Sequence, residues 1–188
     1  ETRKFSFLVE MLYNSKIFRE VEYFLEDYKL NYNQYVLLVY KELKNSHPDI
    51  KFIMQSFINE SINELKNSEE LLVNYYSKNE NFKKIMNGEE GGNVKYNHKA
   101  MLLSKYQNVW LQFVFGCLKK FLVLNNIEFK NEELDDIITF IKCKFDGVLD
   151  RNRTYVQINN SFNHDIINWL NQEDRTKPLR EFKNTDKV

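Results

Sequence analysis

Proline and glycine are scarce in this 188-residue sequence, which has two of the former and five of the latter. Three of the five glycines, Gly88, Gly91 and Gly92, fall in one short stretch, so breakers are localised and helices should dominate. Cysteine is nearly as rare. Cys117 and Cys143 are too few for a disulfide framework, and each sits in an apolar helical pattern where a free thiol behaves as a small buried hydrophobe. Cys117 has no adjacent cation or helix N-terminus to activate it as a nucleophile, and Cys143, between Lys142 and Lys144, is not at a helix N-terminus. Charge of one sign is not in excess. Lys plus Arg and Asp plus Glu both number 27, so no global field gathers polyanions and nucleic-acid binding is not expected. The longest uncharged apolar stretch, Tyr106 to Leu118, is shorter than the 18 or so residues that span a bilayer, and no transmembrane helix is expected. The opening Glu1-Thr2-Arg3-Lys4 does not resemble a secretory signal, which gives a cytoplasmic expectation. Glu1 in place of an initiator Met is compatible with a piece of a longer chain, and equally with processing.

What is present points to a folded helical domain. Hydrophobic residues make up 43% of the chain, with 15 Phe, 11 Tyr and 2 Trp, far too apolar for a disordered segment. The abundance of Asn, Lys, Ile, Tyr and Phe fits a bacterial source of low G+C content. Ile17, Val21, Phe24, Leu25 and Tyr28 share one helical face. Leu103, Tyr106, Trp110, Phe113, Cys117, Phe121 and Leu124 form the strongest stripe, widened by Leu102, Val109, Val114, Leu118 and Leu122. A helix apolar over so much of its circumference belongs in the middle of a bundle. The expectation is a single, mainly α domain over 1–188, an irregular multi-helix bundle. Its helices fall at roughly 5–28, 32–45, 49–66, 69–86, 94–124 and 132–149, followed by an extended and helical segment at 153–183. Unbroken, the 94–124 helix would be about 45 Å long. Asp49 reads as an N-cap, Ser68-Glu69-Glu70 as another, and Asn131-Glu132-Glu133 as a third. The period-two alternation Thr154-Tyr155-Val156-Gln157-Ile158 predicts one short β element near 153–159.

Chemistry-bearing patterns are thin. The glycine-bearing stretch Gly88 to Asn93 lacks the Lys and Ser/Thr of a phosphate loop, and Glu89 and Glu90 would repel a phosphate, so a connecting loop is the better reading. His47, His98 and His164 form no pair at metal-ligand spacing, and no metal site is expected. His164-Asp165 is read as structural. The acid pairs Glu132-Glu133 and Asp135-Asp136 are accounted for by the start of a helix. No catalytic residue is assigned. Tyr75-Tyr76, Trp110 and Phe113 have no basic stripe beside them, and core packing is the better reading.

Three segments nevertheless resemble the helical C-terminal region of bacterial radical S-adenosylmethionine enzymes that also carry a cobalamin-binding domain. They are Leu12 to Arg19 (LYNSKIFR), Gly91 to Ala100 (GGNVKYNHKA), and Phe162 to Ile167 (FNHDII) with Lys177-Pro178-Leu179 after it. The resemblance implies a parent using a [4Fe-4S] cluster, S-adenosylmethionine and cobalamin, as a methyltransferase or Fe-S oxidoreductase. Two cysteines 26 positions apart cannot supply the three ligands of such a cluster, so that chemistry would lie elsewhere in the parent. The implied role here is a non-catalytic accessory domain that covers the catalytic barrel or selects substrate. Its partners would be the catalytic domains of its own chain, with Tyr13, Asn14, Arg19, Tyr96 and His98 as candidate surface residues. The competing expectation is a standalone helical interaction or dimerisation module, with a homodimer as one form.

Overall fold

A computed structural model describes residues 1–63, 68–87, 93–148 and 160–184. The protein is mainly helical, with ten α-helices and no strand among the described residues. The chain runs α1 (Thr2–Val9), α2 (Arg19–Asp27), α3 (Tyr32–Glu42), α4 (Pro48–Asn63), α5 (Glu69–Tyr76), α6 (Asn79–Met86), α7 (Val94–Ser104), α8 (Gln107–Leu124), α9 (Asn131–Val148) and α10 (Ile166–Leu170). The β element expected near 153–159 lies outside the described residues, as do Gly88 to Gly92 and the end of the expected 49–66 helix. The one described bridge pairs His164 with Lys183.

α8 is the centre. Trp110, Leu111, Val114, Phe115, Cys117, Leu118, Phe121 and Leu122 are all buried, drawn from both of the stripes legible in the sequence. It packs on α3, α4 and α7, and the wholly buried Tyr35 of α3 donates its hydroxyl to the Val114 carbonyl at 3.0 Å. Phe7 of α1 stacks on Phe57 of α4 at 4.6 Å between ring centroids. Phe18 fills the gap between α8 and α9, 6.3 Å from Phe115 and 6.0 Å from Phe145.

Several helix boundaries differ from the sequence expectation. The expected helix over 5–28 breaks in two: α1 runs into a π-helical turn at Glu10–Asn14, and Lys16 then takes a left-handed backbone at φ 53°. Ser15 donates its hydroxyl back to the Met11 carbonyl at 2.8 Å, and the break frees the Ile17 carbonyl to accept Lys144 Nζ at 3.0 Å. The expected 94–124 helix also breaks, at Lys105-Tyr106, because its two halves face different partners: α7 packs chiefly on α4, and α8 on α3. The central helix is therefore 18 residues, about 27 Å, long. The span 69–86 is two helices rather than one.

Caps follow the side chains on offer. Ser68 Oγ accepts the Leu71 amide at 3.2 Å, as its position predicts. At the start of α4 the cap is His47 rather than Asp49: Pro48 takes the first helical position, and His47 Nδ1 accepts the Asp49 amide at 3.3 Å. α2 and α8 end in Schellman geometry, with Lys29 (φ 56°) and Asn126 (φ 55°) where glycine is usual. There the amides of Leu30 and Ile127 reach back to the carbonyls of Leu25 and Leu122.

Candidate interaction surface

α5 and α6 form a hairpin unlike the rest of the molecule. Ser68 caps α5, Glu69 and Glu70 occupy its first turn, and Lys83 and Lys84 the last turn of α6, all in accord with the helix dipoles. The turn is tied by Asn81 Nδ2 donating to the Tyr75 carbonyl at 2.9 Å. Yet each helix has only eight residues, well below the 12 to 15 or so at which an isolated helix becomes even marginal, and neither contains a buried residue. Leu71, Leu72, Val73, Phe82, Ile85 and Met86 are exposed, from 37% at Ile85 to 70% at Met86. Phe82, Ile85 and Met86 stand at helical spacing, the pattern of a face built to be covered. Among the described residues nothing buries these side chains.

The candidate surface residues separate into two groups and one exception. Tyr13 is half exposed, its ring 6.2 Å from Tyr32, whose hydroxyl donates to the Leu12 carbonyl at 2.8 Å. Beside it, Asn14 Nδ2 donates to Glu10 Oε2 at 3.1 Å, while Lys99 Nζ reaches Glu10 Oε1 at 2.9 Å. Asn14 and Lys99 thus meet through Glu10, and these two hydrogen bonds, Lys99's first, hold its carboxyl below the usual range. Tyr96 is exposed on α7. Arg19 belongs elsewhere, stacked 4.8 Å from the centre of the Tyr23 ring and donating through Nε to its hydroxyl at 2.6 Å. His98 is a correction: it is 1% exposed, so it is a packing residue and not a surface one. Its Nδ1 donates to the Val94 carbonyl at 2.8 Å, its Nε2 lies 3.2 Å from Ser56 Oγ, and its ring meets Phe57 edge-on.

A set of buried polar ties, largely hidden from sequence reasoning, locks α9 and the C-terminal segment onto α2. Lys144 Nζ sits 2.8 Å from both carboxylate oxygens of buried Glu20. Asp136 Oδ2 accepts both the amide and Nδ1 of buried His164, at 2.9 and 2.8 Å. The structural reading of His164 agrees with this geometry. The helix-start explanation of the acid pairs does not suffice, because Glu133 and Asp136, one turn apart, are both buried and hydrogen-bonded. Tyr28 donates to Glu133 at 3.0 Å, and burial together with that carboxylate pushes its hydroxyl up to about 12. Asp27 Oδ2 accepts the Trp169 indole N–H at 3.0 Å and the Leu179 amide at 2.8 Å. Arg175 lies 3.6 Å over the Tyr23 ring, with its Nη2 3.6 Å from Asp27 Oδ1. A spacing of three turning inward on α9 was the one available signal for this network.

Burial pushes the Cys117 thiol up to about 12, so it is inert as a nucleophile at neutral pH, and both cysteines are free thiols. Among the described residues no cluster of three or more His, Cys, Asp or Glu side chains is placed to hold a metal. None of their helices is long and apolar enough to cross a membrane. Compared with known proteins, the chain matches no family model, no curated protein and no solved structure.

Proposed function

We propose that this chain is a helical accessory domain that works by docking on another protein surface through the α5–α6 hairpin. The observation that carries the reading is the hairpin itself, six exposed apolar side chains on two helices with no buried residue. Covering a half-exposed Leu, Phe or Met contributes about 1 kcal/mol, so the six together contribute roughly 6 kcal/mol. Free association of two rigid bodies opposes this with about 4 to 15 kcal/mol. A partner tethered in the same chain avoids much of that opposition, since its effective concentration is high. The balance favours a neighbouring domain over a freely diffusing copy.

The resemblance of Leu12–Arg19, Gly91–Ala100 and Phe162–Ile167 to the C-terminal region of cobalamin-binding radical S-adenosylmethionine enzymes supplies the identity of that neighbour in this proposal. The partner is the catalytic barrel of the parent, a methyltransferase or Fe-S oxidoreductase, which the domain covers or for which it selects substrate. Asn14 and Lys99, one from each of the first two segments, both bond Glu10, which supports treating these parts as one surface, with Tyr13 and Tyr96 as further exposed residues of the two segments.

Two measurements test the two levels separately. Hydrogen exchange on the protein in its natural gene context should find the 69–86 amides protected well beyond what an uncovered eight-residue helix can sustain. Unprotected amides there would end the docking proposal, and protection that depends on protein concentration would transfer it to a homodimer. Translation of the encoding reading frame tests the parent: without a Cys-x-x-x-Cys-x-x-Cys motif the radical-enzyme assignment fails, while docking stands or falls on the exchange data.

A further inference from the structure

Chain order makes α4 and α7 the two roots of the hairpin, since the chain enters α5 from α4 and leaves α6 for α7. The two helices also pack on one another, and at their contact lies His98, its side chain only 2% exposed. The Val94 carbonyl, 2.8 Å from Nδ1, only accepts, so Nδ1 carries a proton in either charge state of the ring. Nε2 is therefore bare in the neutral ring and protonated in the charged one. It faces two oxygens of α4, Ser56 Oγ at 3.2 Å and Glu60 Oε1 at 3.4 Å, which are themselves 3.1 Å apart.

The neutral ring does not satisfy all three of these contacts. Ser56 has one hydroxyl hydrogen, which serves either Nε2 or Glu60, and in both cases a bare nitrogen lone pair stands opposite a carboxylate. The charged ring satisfies them together: Nε2–H donates toward the two oxygens while the Ser56 hydroxyl donates to Glu60. The other charged groups around the contact are turned elsewhere. Lys95 and Lys99 of α7 reach Ser6 Oγ and Glu10, and Arg3 of α1 donates to the Ser61 carbonyl. α8, the other helix packed on α7, has no charged residue before Lys119.

We propose that Ser56, Glu60 and His98 form a proton-operated clamp on the roots of the hairpin. Protonation at Nε2 ties α7 to α4 through Glu60. Loss of that proton turns the Ser56 hydroxyl to Nε2 and releases Glu60 to the solvent, to which its side chain is already half exposed. Histidine is the side chain whose charge ordinarily changes between about pH 5 and 8, so mild acidification closes the clamp. Closure regulates the docking surface: roots held in one arrangement leave less to be ordered when the hairpin is covered, and docking is favoured. That use rests on the docking reading; the clamp itself does not.

The test is side-chain nitrogen NMR on the full 188-residue chain from about pH 8 to 5, with amide hydrogen exchange followed in parallel. The His98 ring should keep its Nδ1 proton throughout and gain one at Nε2 on acidification. Exchange of the amides in 60–63 and 97–102 should slow by about 2- to 5-fold over the same range, after correction for its intrinsic pH dependence. Glu60→Gln, at a half-exposed helix position, should displace the Nε2 protonation to lower pH and abolish the slowing. Glu132→Gln, exposed on α9, should change neither. An Nε2 that stays bare down to about pH 5 overturns the proposal, as does protonation without slower exchange. So does a titration that Glu60→Gln leaves unmoved, or one that Glu132→Gln moves equally. Docking is judged separately, by the 69–86 amides in the natural gene context, so either reading fails without the other.

Discussion

Replacing Asp27 by alanine gives the most informative perturbation of this fold. The side chain is 8% exposed and serves three donors from the C-terminal segment: the Trp169 indole, the Leu179 amide and, at 3.6 Å, the Arg175 guanidinium. Alanine orphans the first two in a region closed to water, at about 1 to 3 kcal/mol each. The carboxyl of Asp27 is itself raised above its usual range, by burial first and against the pull of the Leu179 amide, Arg175 and Trp169. A raised folded value means that the stability linked to its protonation is fully present below the unfolded value near 3.8 and lost as pH rises through the folded value. At neutral pH the ionised group thus contributes less than its hydrogen bonds alone suggest, which places the loss in Asp27→Ala at the lower end, about 2 to 4 kcal/mol. Asp27→Asn keeps an acceptor without the charge and should lose about 1 kcal/mol or less. Urea unfolding followed by tryptophan fluorescence reads both, and Asp27→Ala should lower Tm by roughly 5 to 15 °C. If Asn is as damaging as Ala, the Arg175 charge pair rather than the acceptor holds the segment. An Ala variant within about 0.5 kcal/mol of the parent protein would refute the reasoning altogether.

Lys144→Met strands the Glu20 carboxylate, whose side chain is 5% exposed, and should destabilise the fold by about 3 kcal/mol; Glu20→Met added to it should recover most of the loss in the same urea assay. Tyr35→Phe should lose about 1 kcal/mol, the Val114 hydrogen bond with the packing kept. Glu10 has a folded value held below the unfolded one, so its contribution is present above about pH 4.5 and is lost as pH falls through the folded value; Glu10→Gln should flatten that acid limb in urea midpoints taken from about pH 6 to 3. Leu72→Glu with Phe82→Glu should leave domain stability within about 0.5 kcal/mol, since both side chains are exposed, while abolishing the concealment of 69–86 in the native chain's hydrogen exchange.

Much of the architecture was legible because apolar period and breaker scarcity are local signals. The α8 stripes, the Ser68 cap and the helical class follow from a few residues at fixed spacing. What escaped depended on partners distant in sequence. Nothing near Tyr106 announces that α7 and α8 take different neighbours, and nothing near Lys16 announces that Lys144 will claim the Ile17 carbonyl. Glu133 and Asp136 looked like ordinary first-turn acids because Tyr28 lies 105 positions and His164 28 positions away. His98, among polar neighbours in the sequence, was read as exposed, yet its ring is enclosed at the α4–α7 contact beside Phe57. The exposure of the hairpin among the described residues depends on how the other helices pack, and so no window of sequence contains it.

The ties between Asp27 and the C-terminal segment also set a timetable for biosynthesis. The Asp27 acceptor on α2 first meets Trp169, 142 positions later, and is fully answered only when Leu179 arrives, 152 positions later. At roughly 5 to 20 residues per second that interval is about 8 to 30 s, long against the microseconds in which helices form. During it the nascent helices have time to pack around α8 while the α2 surface that will receive Trp169 stays open. The last described residues of the chain act as its latch, and a ribosome stalled before position 169 would hold a collapsed bundle with its clasp undone.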